Sequence, residues 1–507
     1  MTAHFDATVK APRDAYEAKR LSEVHPEAWN NPEPSGPYQL VIIGAGAAGL
    51  DAARQAAGMG VKVALIERHL IGGTCYNTGC VPSKALIRTA SVYAEMRNAA
   101  RYGAQVPADI TVDFGAVMAR MRCIRSHLVG TASVRRLAAR GVDVFFGNTV
   151  FEGPDRLSVN GQVLQFDKAL ITTGARPHVP DVPGLRQAGF LTNATVFDLV
   201  DLPPRLLVIG GGPLGCELAQ AFQRFGSKVT IVQDLPLFLE HEERDAAQIL
   251  SDAFARDGLE VRLNTTASAV RTEGAERVVD LVSDDYHSTI RVDAILTGVG
   301  RRPNVQGLAL EAAGVAYDEM TGIVVDDHLR TSNPRIHAAG DVCLVERYTN
   351  TAEETARIVV RNALLGGNER LSDRIIPWCT YTDPEIAHVG LYVREANAQG
   401  IPVKTFTIPM HEIDRAILDS DEEGFVKIHI REGSDTILGA TIVSRHAGDM
   451  INEITLAMVA GVGMRMLARV IHAYPTRTEA IREAAMAYNR TRMTPRLIAR
   501  LRRWLSR

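Results

Sequence analysis

Cys75 and Cys80 carry the clearest chemical capacity in this chain. They stand five positions apart in Gly72-Gly73-Thr74-Cys75-Tyr76-Asn77-Thr78-Gly79-Cys80-Val81-Pro82-Ser83-Lys84. The residues after Pro82 predict a helix start, which puts both thiols at or near a helix N-terminus. There the helix dipole favours thiolate over thiol. Two such sulfurs that can close into a disulfide form a two-electron store. The same spacing suits a structural disulfide, or half of a metal site that needs two further ligands. Cys123, Cys216, Cys343 and Cys379 are scattered singly and complete no Cys/His cluster. Cys123, near Met118 and Met121, reads as a buried thiol, Cys216 as helix packing, and Cys379 as part of a buried sheet.

Two glycine-rich turns are placed to supply electrons. The apolar strand Gln39-Leu40-Val41-Ile42-Ile43 runs into Gly44-Ala45-Gly46-Ala47-Ala48-Gly49, and a helix follows. A second strand, Val61 to Ile66, ends at Glu67. This is the strand–turn–helix–strand–acid order of a dinucleotide fold, with Gly44 for the tight turn, Gly46 for the pyrophosphate and Gly49 for close helix packing. Glu67 stands where a carboxylate meets ribose hydroxyls. The order recurs at Arg205-Leu206-Leu207-Val208-Ile209 and Gly210-Gly211-Gly212-Pro213-Leu214-Gly215, followed by a helix and the strand Lys228 to Val232. Gln233 and Asp234 follow that strand, with no base before Glu240. Little there would hold a 2′-phosphate, so the expectation leans to NADH over NADPH, with Asp234 as the ribose partner. Two turns imply two dinucleotides, and a flavin with a nicotinamide is the economical pair.

At 507 residues the chain exceeds a single core, and its net charge of −3 predicts no nucleic-acid partner. Six cysteines in this length indicate no disulfide scaffold and a reducing, cytoplasmic setting. No apolar run is long enough to span a membrane. Residues 1–37 are polar and proline-dotted, without a signal-peptide pattern, and read as an extension that is mobile or lies on the surface. Residues 490–507 hold seven arginines and no acid, while Leu497, Ile498, Leu501, Trp504 and Leu505 share a helical face. That helix is expected to pack on its own protein with a solvated basic edge; contact with a membrane surface is the other reading.

Taken in order, these motifs resemble the FAD-dependent class I pyridine nucleotide-disulfide oxidoreductases. That family includes dihydrolipoamide dehydrogenase, glutathione reductase and mercuric reductase. The resemblance spans about residues 38–490. It rests on Gly44 to Gly49, Gly72 to Lys84, Thr173-Gly174-Ala175-Arg176-Pro177, Gly210 to Glu217, Gly300-Arg301-Arg302-Pro303-Asn304, Ala338-Ala339-Gly340-Asp341-Val342 and His472-Ala473-Tyr474-Pro475-Thr476-Arg477-Thr478-Glu479. It implies an α/β fold with two Rossmann-like domains, for FAD and for NADH or NADPH, and a C-terminal α+β dimerisation domain. The implied boundaries are 1–37 for the extension, 38–185 with 308–373 for the FAD domain, 186–307 for the NAD(P) domain, 374–490 for the interface domain and 491–507 for a basic helix.

The resemblance also implies roles. Gly44, Gly46, Gly49, Glu67, Gly73, Thr74, Lys84, Thr173, Gly174, Gly340 and Asp341 would line the flavin nucleotide. Gly210, Gly212, Gly215, Asp234, Gly300 and Arg301 complete the cofactor set. Lys84 and Glu217 would form a buried pair beside the flavin. Electrons from the nicotinamide would reach a Cys75–Cys80 disulfide through the flavin, leaving Cys80 as the charge-transfer thiolate and Cys75 as the interchange thiol. A homodimer is implied, in which the C-terminal domain of one subunit completes the other's site.

One departure narrows the acceptor. Lipoamide- and glutathione-type members place a histidine before the proline of the last motif, oriented by a glutamate, as acid/base for the thiols. Here that position is Tyr474, with Glu479 kept and His472 two residues earlier. A phenol, with an ordinary pKa of about 10, is a poor proton acceptor near neutrality. Mercuric reductases also lack that histidine, and soft thiolates suit a soft metal ion. The expectation is therefore a mercuric-reductase-like enzyme reducing Hg(II), Cu(II) or another small oxidant, with no structural metal and a transient soft-metal site at Cys75 and Cys80. Specialised mercuric reductases carry extra cysteine pairs at both ends that this chain lacks, and Pro213 replaces the tyrosine that in many family members gates the nicotinamide pocket. The alternatives are a dihydrolipoamide dehydrogenase using His472, and a flavin redox sensor that docks partners.

Overall fold

The computed structural model describes residues 14–107, 109–284, 286–493 and 495–506. They form two compact units, one of residues 1–236 and 259–374, the other of residues 237–258 and 375–507.

The first unit is built on two sheets with parallel central strands; the larger continues past Gln162–Ile171 into the antiparallel strands Arg156–Val159 and Thr149–Gly153. In the larger, Tyr38–Ile43 lies between Val63–Glu67 and Gln162–Ile171, pairing Ile43 with Ile66 on one side and with Ile171 on the other. Val142–Phe146 extends it beyond Val63–Glu67, and Ile336–Ala338 returns late in the chain to pair with Gln162–Ile171. A parallel sheet covered on both faces needs nearly continuous apolar strands. Alternate residues then serve different cores. Leu40, Ile42, Val63 and Leu65 pack in one cluster with Ala52, Ala56 and Val359, while Val41, Ile43, Ala64 and Ile66 pack in another with Phe145 and Leu310. The second sheet orders Glu260–Arg262, Lys228–Val232, Arg205–Ile209 and Ala294–Thr297, all parallel, with the helix Pro213–Phe225 after its turn. The two Rossmann-like sheets and the expected α/β class are present.

The second unit is α+β. Its five-stranded antiparallel sheet runs Pro377–Thr380, Glu385–Gly390, Ile437–Ser444, Phe425–Arg431, Val403–Pro409. Helices Ala447–Val459 and Glu479–Arg492 bury Ile454, Ile481 and Ala484 with Ile428 and Ile442 of the sheet. Residues 237–258, inside the span expected for the nicotinamide domain, group with this unit. Their Glu243 pairs with Lys427 at 2.9 Å and with His429 at 3.1 Å.

One expectation is sharpened and two change. Of the extension expected to be mobile or to lie on the surface, residues 15–24 form the helix Ala15–Val24, which lies on the surface with Glu17, Arg20 and Val24 buried on its inner side. The chain after it lies along the edge strand Val142–Phe146, where Asn31 exchanges hydrogen bonds with Phe146 at 2.9 and 2.8 Å and Trp29 donates to Val144 O at 3.1 Å. Residues 1–13 of the extension lie outside the described residues. Cys123 is exposed rather than buried, because Met118, Met121, Arg122 and Arg125 take the inner face of the helix Phe114–Leu128. The C-terminal segment is a helix, Pro495–Leu505, but Trp504 and Leu505 stand exposed rather than packed; the Leu497 and Leu501 side chains lie outside the described residues. No helix among the described residues is long and apolar enough to cross a membrane.

Candidate redox site

Gly72 and Gly73 both take positive φ, at 101° and 57°, and turn the chain into the short helix Gly73–Thr78 that carries Cys75. A Cβ on Gly73 would lie 2.6 Å from Gly46 Cα, so the backbone before Cys75 presses directly on the first nucleotide turn. The long helix then begins at Cys80, earlier than the sequence suggested, and ends at Arg97. Pro82 is accommodated inside its first turn, where no intrahelical donor is needed. Cys80 thus sits at the helix N-terminus.

Both sulfurs are free thiols, with Cys75 partly buried and Cys80 exposed. The Cys75 S–H donates to the Cys80 sulfur, and this bond, more than anything else, lowers the Cys80 pKa to about 6 against the cost of burial. The Thr349 hydroxyl, 3.3 Å from Cys80 Sγ, and the Lys84 charge act in the same direction, while Glu217 opposes them. Cys75 moves the other way, pushed up by that hydrogen bond, by burial and by the Cys80 charge. The opposite directions favour charge on Cys80 and the proton on Cys75. Lys84, one helical turn beyond Cys80, pairs with Glu217 of the helix Pro213–Phe225 at 2.7 Å.

The first nucleotide turn fits the nucleotide that the sequence implied. Gly44 has φ 107°, and a Cβ there would lie 2.5 Å from Thr172 O. A Cβ on Gly49 would lie 1.9 Å from Gly44 O, whereas Gly46 is left open toward the loop. Glu67 closes the turn by accepting from Ala45 N and His69 N, each at 2.9 Å, and burial pushes its carboxyl up. A cavity of about 240 Å³ opens at the carboxyl ends of these strands, lined by Gly44, Glu67, Arg68, Thr149, Thr173 and Asn304. Thr173 donates to Asn304 O at 2.8 Å, ahead of Gly174 at φ 67°. Asp341, after Gly340 at φ 74°, pairs with Arg301 at 2.6 Å; Arg301 also donates to Ala175 O and reaches Thr74 Oγ1 at 3.4 Å. Arg301 Nε is buried without a hydrogen-bond partner. The glycine cradle and the cavity together fit FAD.

The second turn repeats the first. A Cβ on Gly210 would meet Gly298 O at 2.7 Å, and one on Gly215 would meet Gly210 O at 2.1 Å. Gly212 caps the helix that Pro213 starts, and Gly300 has φ 97°. Here Gln233 Oε1 accepts from Gly211 N at 2.7 Å, the counterpart of the Glu67 bond. Gln233, directly after the strand, makes this contact, and Asp234, the expected ribose partner, lies exposed one residue further on.

A family model described as pyridine nucleotide-disulphide oxidoreductase matches residues 38–358, and the dimerisation domain of that family matches residues 376–485. The chain belongs to the pyridine nucleotide-disulphide oxidoreductases. It is an NAD(P)H-dependent flavoprotein disulfide oxidoreductase and uses FAD and NAD(P)H. Mercuric reductase of Streptomyces lividans is 35% identical over 456 residues, 89% of this chain and 96% of that one. Dihydrolipoyl dehydrogenase of Thermus scotoductus is 34% identical, covering 89% of this chain and 98% of its own. Among solved structures, the HOCl-induced flavoprotein disulfide reductase RclA from Escherichia coli superposes with a TM-score of 0.80 at 31% identity, over 89% of this chain and 99% of that one. Its Cu(II) complex superposes with a TM-score of 0.79 at 31% identity, over 88% and 99%.

The C-terminal residues of this oxidoreductase belong to the second unit. Tyr474 is 71% exposed and its hydroxyl donates to Asp414 at 2.7 Å, which pushes the phenol further up. His472 points inward: its side chain is 8% exposed and its Nε2 lies 2.9 Å from Glu453 Oε1. Glu479 opens the helix Glu479–Arg492. Three residues that sequence reasoning missed matter to the site. Thr349 carries an ordinary side chain with no motif around it; Gln233 was placed after the second strand, but its bond to the turn was not anticipated, although Glu67 in the first turn suggests it. Asn77, inside the cysteine segment, is the third.

Proposed function

We propose that this flavoprotein reduces a soft metal ion, Hg(II) or Cu(II), or a comparably small oxidant, at the Cys75–Cys80 pair. The observation that carries the reading is the proton inventory around the sulfurs. Cys80 is a thiolate near neutral pH. At the motif position where dithiol-processing members keep a histidine stands Tyr474, whose phenol is pushed up by Asp414. Exchange with an organic disulfide needs a group that protonates the leaving thiolate and takes the proton back. Tyr474 cannot take that proton near neutrality, whereas a metal ion needs only sulfur ligands. Cys80 offers one at once, and Cys75 gives up its proton as it becomes the second. When bound, FAD and the nicotinamide supply the hydride chemistry that brings electrons to the site. Lys84, on the helix that carries Cys80, pairs with Glu217 of the neighbouring helix, and Thr349 orients the Cys80 sulfur. The likeness to mercuric reductases and to a Cu(II)-complexed disulfide reductase supports this acceptor class.

The proposal includes a homodimer in which the second unit of one subunit completes the partner's site. Leu456, Val459 and Ile471 are 68%, 66% and 95% exposed in the second unit, an apolar surface of the kind that marks an interface. A dihydrolipoamide-type reaction through His472 is disfavoured, since that imidazole is buried against Glu453.

Anaerobic turnover of the holoenzyme with NADH or NADPH and a panel of acceptors tests the reading. Hg(II) or Cu(II), buffered with excess thiol, is expected to support turnover at least tenfold above lipoamide or glutathione disulfide. Equal rates with lipoamide would overturn it.

A further inference from the structure

The helix Ala15–Val24 precedes the family-matched residues, which begin at 38, yet it is wired to the loop between the two sulfurs. Arg20 donates to Asn77 Oδ1 at 2.5 Å. Asn77, 3% exposed, passes that contact on: its Nδ2 donates to Ile71 O at 3.1 Å and to Gly73 O at 2.9 Å, fixing the chain that leads into Cys75. Arg125 donates to Asn77 O at 3.0 Å, and Asn193 donates to Thr78 O at 2.9 Å. Glu17 accepts from both Arg20 and Arg125, so one buried carboxylate aligns the two guanidinium groups that grip the loop. The side chains of Glu17, Arg20 and Arg125 are 10%, 9% and 2% exposed. At the C-terminal end of the same helix, Val24 O accepts from Ile71 N at 3.2 Å.

Charges are costly to bury unless paired and hydrogen-bonded. A simple helix dock could have used apolar residues here. The cluster instead delivers a directional donor to one atom, Asn77 Oδ1, two residues from Cys75. A loop held in place keeps the Cys75 sulfur close to Cys80 and raises its effective concentration for closing the bond. We infer that the helix Ala15–Val24 is a positioning element of the redox pair, and that the Arg20–Asn77 hydrogen bond biases the pair toward the disulfide. The inference rests on the reading of Cys75 and Cys80 as the redox pair.

The test is a thiol–disulfide equilibrium on the FAD-loaded holoenzyme under anaerobic glutathione buffers, quenched with acid, alkylated and mapped by mass spectrometry. In that reaction two glutathione thiols give up two electrons and two protons and join as glutathione disulfide. The Cys75–Cys80 bond breaks and takes the electrons, and the protons pass to the freed sulfurs or to solvent. Arg20→Met is expected to shift the equilibrium at least tenfold toward the dithiol, equivalent to about 30 mV. Arg122→Met breaks the 2.6 Å ion pair between Arg122 and Asp14, the N-cap of the same helix, without touching Asn77. It is expected to lower the melting temperature and leave the equilibrium within twofold of wild type. If Arg20→Met does not yield folded holoenzyme, Arg20→Gln, whose amide cannot span the same distance, is expected to shift the equilibrium at least threefold in the same direction. An unshifted equilibrium in the Arg20 variants, or an equal shift in Arg122→Met, overturns the inference. A wild-type protein with no reversible couple mapped to Cys75 and Cys80 overturns the redox-pair reading as well.

Discussion

Cys80 owes its acidity first to its neighbour. The S–H of Cys75 stabilises the Cys80 thiolate, with Thr349 and Lys84 adding to it, and the sum outweighs burial and Glu217. Alkylation of the reduced protein by iodoacetamide, followed at Cys80, is therefore expected to rise with pH around a midpoint near 6. The sign is set by the depressed value: above the midpoint the sulfur is charged and reactive, below it protonated and slow. Cys75→Ala removes the leading cause and is expected to move the midpoint up; an unmoved midpoint would assign the acidity to the helix end and Lys84 instead. The importance of the pair was legible from spacing alone. The division of labour between the two sulfurs came from the family resemblance and not from the spacing, because it depends on which sulfur donates to which. The Gln233 contact was missed for a related reason: an acid was sought at the specificity position, while the turn asks only for an acceptor facing Gly211 N.

At the scale of elements, the two nucleotide turns were the most legible part of the chain. Their glycines answer steric demands that the structure makes explicit, and apolar strands buried on both faces have a strong signature. Gly49→Ala would put a methyl 1.9 Å from Gly44 O, so the helix Ala47–Gly58 must shift off the turn. Overpacking of this kind costs about 1–3 kcal/mol or more. The purified variant is expected to retain little FAD, measured by its flavin absorbance, and to melt lower. Gly58→Ala, at the end of the same helix with nothing within 4 Å, is the control and should be neutral or slightly stabilising. The N-terminal helix was illegible because it docks through Glu17 and Arg20, charged residues that read as solvated in any hydropathy pattern. The exposed Trp504 and Leu505 show the opposite failure, apolar residues that the helical pattern put on a packed face.

At the scale of the molecule, the chain divides its work. The first unit holds the sulfurs, the Lys84–Glu217 pair and both nucleotide turns, while the second carries the dimerisation domain and the Tyr474 segment. The family was legible because its motifs recur in order along the sequence. The acceptor class rests on one departure in the last motif, Tyr474, which can act on the sulfurs only through the proposed dimer. The central claim is that the absence of an acid/base at position 474 directs the sulfur pair away from organic disulfides. The most direct measurement is kcat/KM for lipoamide and for thiol-buffered Hg(II) in wild type and Tyr474→His, assayed anaerobically on FAD-loaded dimer. The account predicts that the histidine raises lipoamide turnover at least tenfold and changes the metal rate less than threefold. Lipoamide turnover that is already high in wild type, or unmoved by the histidine, would contradict it.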